Sequence, residues 1–109
     1  MTPIYHLVRR GEWEKTPTEP YRAPSLATEG FIHCSQATQV AWAANNFYKD
    51  AADLLVLEID PQRLGSEVRT EQAKHGEWFP HIYGPIERTA VVRVHEMSRG
   101  TDGRWQFGA

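Results

Sequence analysis

The stretch DLLVLEID at residues 53–60 constrains this chain most. From Leu54 to Ile59 only Glu58 interrupts a run of aliphatic side chains. An apolar run without alternation fits a strand buried on both faces, which places it at the centre of a sheet. Asp60–Pro61 ends it, because proline has no N–H to continue the ladder. A chain of 109 residues has room for one core, so the remaining elements are expected to pack around this strand as a single domain.

IYHLVR (4–9) is β-rich and alternates weakly, and reads as the first strand. Residues 9–16 suit a short helix anchored by Trp13. PTEPYRAPS (17–25) carries three prolines and is expected to be loop. GFIHCS (30–35) reads as a short strand, with Ser35 as N-cap of a helix over 36–51. In that helix Val40, Ala44, Phe47 and Ala51 recur at helical spacing. Pro61 suits a turn or one turn of helix, residues 66–71 alternate as a strand, and residues 72–77 form an exposed loop. WFPHIYG (78–84) is expected to run into a turn at Gly84–Pro85. A last long strand over 87–100 would put Ala90, Val92 and Val94 on one face, with a hairpin turn at Asp102–Gly103. The expected fold is a small α+β domain on a curved or split, mainly antiparallel sheet with one main helix.

A net charge of −2 supplies no field toward nucleic acid or anionic lipid. A single cysteine excludes an internal disulfide and suits a reducing compartment. The opening MTPIYHLVRR is too polar for a signal peptide, and no apolar run approaches the roughly 20 residues needed to span a bilayer. The cytoplasm is the expected address.

Among residues that could carry chemistry, His6 points away from the face shared by Tyr5 and Leu7. His33 lies near a strand end, where strands deliver side chains into clefts. Cys34 invites a nucleophile reading through its neighbouring imidazole. Strand neighbours point to opposite faces, however, and free cysteine is usually buried, so Cys34 is expected in the core. Ser35 as a cap would leave helical N–H groups facing a phosphate. EWFPHIYGP (77–85) brings Glu77, His81 and Tyr83 onto a segment stiffened by Pro80 and Pro85. That segment suits either acid–base and ribose chemistry or a structural turn with aromatic packing. A metal set from His6, His33, His81 and Glu77 lacks an i, i+4 histidine pair or paired cysteines, so no metal is expected. There is no glycine-rich phosphate loop and no basic–aromatic interleaving for single-stranded nucleic acid.

IYHLV, YRAPSLATEGFIHCSQATQV, LLVLEIDPQRLG and EWFPHIYGPI together resemble a small, mostly bacterial family, domain of unknown function 952, over residues 4–94. That family looks like a minimal relative of the ADP-ribosyltransferase and RNA 2′-phosphotransferase fold, whose split sheet grips NAD or a related ADP-ribosyl group. The resemblance implies that His6 contacts the nicotinamide ribose or amide, and that Arg22, Ser25, His33 and Ser35 meet phosphate or ribose. It makes Glu77 the carboxylate that steadies the ribosyl cation, with His33 and His81 also catalytic and Tyr83 or Phe31 stacking on nicotinamide. In this chain Tyr83 follows Glu77, whereas the usual order in the transferases is histidine, aromatic, glutamate.

The expected ligand is therefore a nucleotide of NAD or ADP-ribose type, held in a cleft lined by His6, His33 and His81. As an enzyme the chain would transfer ADP-ribose or cleave NAD. The alternatives are a phosphate-transferring activity using Arg22 and the histidines, and a non-catalytic ligand-binding or structural module.

Overall fold

The computed structural model describes residues 2–108. Leu54–Ile59 forms β3, the middle strand of an antiparallel sheet in the order β1-β3-β6, with β1 at Ile4–Arg9 and β6 at Val91–Glu96. Five of its six side chains are at most 1% exposed. Each such aliphatic side chain contributes about 1.5–3 kcal/mol by leaving water. Leu55, Leu57 and Ile59 face one cluster with Ile32, Ile82 and Ile86, while Leu54 and Val56 face another with Val40, Ala44 and Trp105. The missing alternation thus reflects two cores, one on each side of a single strand.

The first cluster is closed by a second antiparallel sheet, ordered β2-β5-β4, with β2 at Ile32–His33, β4 at Val68–Gln72 and β5 at Trp78–Ile82. The second cluster is closed by the main helix, α3 (Val40–Phe47), and by a hairpin of β7 (Ser98–Arg99) and β8 (Trp105–Gln106). Gly103 in that hairpin adopts φ 80°, which the expected Asp102–Gly103 turn requires of a glycine. The architecture is α+β with mainly antiparallel strands, as expected, and the sheet is split in two.

Several local expectations are corrected. The proline-rich segment ends in a helix, α2 (Pro24–Glu29), instead of continuing as loop. Pro24 occupies the first turn, where its missing N–H has no intrahelical partner to lose. Gly30 closes the helix at φ 88°, its N–H reaching the carbonyls of Leu26 and Ser25. Arg88 ties down the preceding residues, donating to the carbonyls of Trp13, Thr16 and Glu19, with its guanidinium carbon 3.8 Å from the Trp13 ring centroid. Trp13 itself sits on the short helix α1 (Arg10–Glu14), as expected.

The helix expected over 36–51 is shorter. Ser35 does not cap it; its backbone pairs with Tyr5, and Gln36 and Gln39 form a reciprocal cap ahead of α3. The helix stops at Phe47 because Tyr48 leaves helical geometry (φ −131°) and Asn45 turns its amide to the β8 backbone at Trp105. Phe47 is consequently 68% exposed, whereas Ala51 is buried outside the helix. The proline-stiffened segment expected to carry Glu77, His81 and Tyr83 is a strand over residues 78–82. Ala90, in the helical turn just before β6, is buried, but Val92 and Val94 on β6 are exposed, because a register shift at Glu58/Ile59 separates them from Ala90.

Candidate functional site

The two three-stranded sheets meet edge to edge at β1 and β2, and they barely join. Tyr5 and Ser35 exchange backbone hydrogen bonds of 2.9 and 2.7 Å. Pro80 accepts from the Cys34 N–H but has no N–H to return, so β2 stops at His33. Where the sheets part, a cleft of about 560 Å³ opens, within the size range of small-molecule sites.

His6 lies at this junction. It projects from β1 on the face opposite Tyr5 and Leu7, and its Nδ1–H donates to the His33 carbonyl at 2.6 Å. A carbonyl only accepts, so the neutral ring carries its proton on Nδ1 and a lone pair on Nε2. Burial lowers the His6 pKa to about 4, with the His33 carbonyl bond opposing the shift. His6 is therefore neutral at pH 7. Among the described residues no side-chain nitrogen or oxygen is sealed from solvent without a partner. His6 Nε2 has none, so it opens onto the cleft that His6 lines. The same reasoning applies to the Oγ of Ser35, a residue only 6% exposed.

His81 is placed by cross-strand register. It stands opposite His33 on β2 and Arg69 on β4, so His33, His81, Phe79 and Glu71 share one face of the second sheet. His81 Nδ1–H donates to Glu71 Oε1 at 2.7 Å, and the Tyr83 hydroxyl donates to the same oxygen at 2.5 Å. These two bonds, Tyr83's first, hold the Glu71 carboxyl below its ordinary range, and the carboxylate in turn raises the Tyr83 phenol. Phe31 stacks on the His81 ring with centroids 4.1 Å apart and planes 16° apart. Glu71, Tyr83 and Phe31 thus fix the ring, and His81 Nε2 has no partner among the described residues. His33 is more exposed, its Nε2 3.2 Å from both oxygens of Glu29.

Of the residues expected at a site, His6, Ser25, His33, Ser35 and His81 line the cleft. Ser25 Oγ is already committed to the Phe31 carbonyl. Phe31 and Tyr83 stand behind His81, and Arg22 is exposed outside the cleft. Glu77 does not join the histidines. It closes the β4–β5 turn, accepting from Gln39 Nε2 at 3.3 Å and meeting His75 Nε2 at 3.4 Å. Cys34 faces the core, where burial raises its thiol pKa strongly. The groups missed from sequence are Glu71, Arg9, Glu12, Tyr21, Trp42 and Phe79. Alternation in SEVRTE does place Arg69 and Glu71 together, but only the β4–β5 register brings Glu71 to His81.

Fold and site together define a small α+β domain with a histidine-lined cleft in a split antiparallel sheet. Residues 7–94 match the family described as "Protein of unknown function (DUF952)", and the chain belongs to that family. It is similar to protein CC0527 from Caulobacter crescentus. One crystal structure of that protein is 29% identical, with a TM-score of 0.84 and coverage of 96% of this chain and 94% of that one. A double methionine variant aligns at 28% identity, TM-score 0.83, over 96% and 94% of the two chains. The solution structure aligns at 30% identity and TM-score 0.80 over 97% and 93%. No curated protein matches this chain. Among the described residues no helix is long and apolar enough to cross a membrane, and no three histidine, cysteine, aspartate or glutamate residues are grouped as metal ligands.

Proposed function

We propose that the chain binds a nucleotide of NAD or ADP-ribose type in the cleft between its two sheets. The observation that carries this reading is convergence. Among the described residues His6 Nε2, His81 Nε2 and Ser35 Oγ have no partners, and all three residues line one aromatic-walled cavity. Such atoms suit the hydroxyl and amide groups of a ribose or nicotinamide, and the walls suit a flat ring. Phosphate is better placed near Arg9, which lines the cleft, than at the start of α3, where Gln36 and Gln39 already form the cap.

As a catalyst, the cleft would use His81. Glu71 holds its Nδ1–H, leaving Nε2 to take a proton from the ligand. Glu77 is engaged with Gln39 and His75 and is not among the residues lining the cleft, so it would have to leave those partners to steady a ribosyl cation. That placement favours the second reading, a binder without turnover.

Thermal-shift titration with NAD, ADP-ribose and an RNA 2′-phosphate end tests the proposal. Ligand at about 100 times its dissociation constant adds roughly 2.7 kcal/mol of stability, about 10 °C for a domain of this size. The gain should shrink in His81→Ala and Ser35→Ala. No shift with any of the three ligands would sink the nucleotide reading. With binding in hand, release of nicotinamide from NAD separates the enzyme from the binder.

A further inference from the structure

Four aromatic side chains at the cleft mouth take no part in the histidine chemistry. Trp42 and Phe47 come from α3, His75 from the turn after β4, and Phe79 from β5, and all four line the cleft. Trp42 packs on Phe79 with centroids 5.8 Å apart and planes at 30°, and on His75 at 4.9 Å and 30°. Phe47 meets Trp42 edge-on at 5.8 Å and 82°. The assembly is braced from behind, since Gln39 Nε2 donates to the Trp78 carbonyl and to Glu77, which holds His75. Glu77 thereby gains a structural task at the rim.

The rings pack on one another yet are left in water, Trp42 being 37% and Phe47 68% exposed. Exposed apolar surface gathered at a cleft mouth marks a binding surface more often than scattered apolar residues do. Continuity with the cleft identifies the occupant: a flat ring belonging to the same molecule whose polar groups reach His6 and His81. A charge lines the same cleft. Arg9 lines the cleft, with its guanidinium carbon 5.0 Å from the Tyr48 ring centroid. Among the described residues Arg9 forms no ion pair, unlike its neighbour Arg10, which meets Glu14, Asp53 and Glu96. Glu12, also on the cleft wall, is placed for a hydroxyl and not for a second phosphate.

We infer that Trp42, Phe47, His75 and Phe79 form a stacking subsite for the heteroaromatic base of the bound nucleotide, and that Arg9 takes its phosphate. This inference rests on the nucleotide reading above and assigns the ends of the ligand. The base lies at the mouth on α3, the phosphate at Arg9, and the ribosyl end against His6, Ser35 and His81. Stacking tolerates any flat base, so the subsite demands a base without choosing among bases.

Isothermal titration with ADP-ribose and with ribose 5-phosphate tests the assignment on the wild type, Phe47→Ala, Trp42→Ala, Trp42→Phe and Arg9→Gln. The wild type should bind ADP-ribose at least tenfold more tightly than ribose 5-phosphate. Phe47→Ala and Trp42→Ala should each weaken ADP-ribose about 5- to 150-fold, the worth of ~1–3 kcal/mol of base stacking. Both should leave ribose 5-phosphate unchanged, Trp42→Phe should keep most of the affinity, and Arg9→Gln should weaken both ligands. Phe47 is exposed enough that its truncation leaves the fold intact. If ADP-ribose binds the wild type and these variants equally, the subsite is wrong and the nucleotide reading stands. If neither ligand binds the wild type, both fall together.

Discussion

His6 should make the protein less stable as pH falls from neutrality toward about 4. Its pKa is lowered from 6.5 to about 4, chiefly by burial, and the Nδ1–H bond to His33 fixes the neutral ring. The unfolded chain binds a proton at about pH 6.5 that the folded chain refuses until about pH 4. Between those values the unfolded state holds more protons, so stability falls as pH falls. The contribution is fully present above pH 6.5 and is lost progressively below it. With those two pKa values, about 2 kcal/mol should disappear between roughly pH 7.5 and pH 5, and the full shift corresponds to about 3 kcal/mol. That is a large share of the ~5–15 kcal/mol that holds a typical domain together. Urea unfolding followed by tryptophan fluorescence at several pH values gives the slope, provided the transition is two-state. His6→Asn lowers stability at every pH by losing packing, so the quantity to compare is the slope and not the offset. The wild-type curve should fall by about 2 kcal/mol more than the variant's over this range. Parallel curves would refute the claim that His6 is held neutral by burial.

Other outcomes follow from single contacts. Cys34 is 4% exposed and its thiol pKa is raised by burial, so at pH 8 it should resist an aromatic disulfide reagent until the protein is unfolded; rapid native labelling would contradict the core placement. A Cβ on Gly84 would come 1.9 Å from Ser66 Oγ and 2.7 Å from its Cβ. Gly84→Ala should therefore cost about 1–3 kcal/mol in chemical denaturation, largely recovered in Ser66→Gly/Gly84→Ala. Glu71→Gln should return the raised Tyr83 phenol toward its ordinary range, seen as an earlier rise in phenolate absorbance on alkaline titration; an unmoved titration would show that Glu71 is not its partner.

The parts of the fold legible in the sequence were those set by burial alone. Leu54–Ile59 declared itself a central strand because it had to be dry on both faces, and Cys34 was assigned to the core by alternation. Elements set by backbone accounting were harder. Pro24 and Gly30 bracket α2 as a first-turn proline and a left-handed closing residue do, but the nearby Pro17 and Pro20 hid that spacing. Pro80 was read as stiffening its segment, not as part of a strand. The structure tolerates it because its missing N–H falls where β2 ends. Val92 and Val94 looked like core, and a register shift that periodicity cannot reveal left them exposed. At the site, His6, His33, Ser35 and His81 were found by residue type and strand position. Glu71 was missed because its role depends on which strand lies beside β5, and Glu77 was favoured for its place on the His81 segment and for the glutamate that the transferase resemblance implies.

The central claim is that His6 and His81 present their Nε2 atoms to one ligand. Long-range ¹H–¹⁵N spectra of the imidazole rings report it directly, since tautomer and hydrogen bonding both set the nitrogen shifts. Without ligand, His6 should appear with its proton on Nδ1. On titration with ADP-ribose the Nε2 signals of His6 and His81 should move together with one dissociation constant. The ring of His95, which is paired with Glu58 away from the cleft, should stay still. Unmoved His6 and His81 signals at saturating ADP-ribose, or shifts confined to His95, would contradict the account.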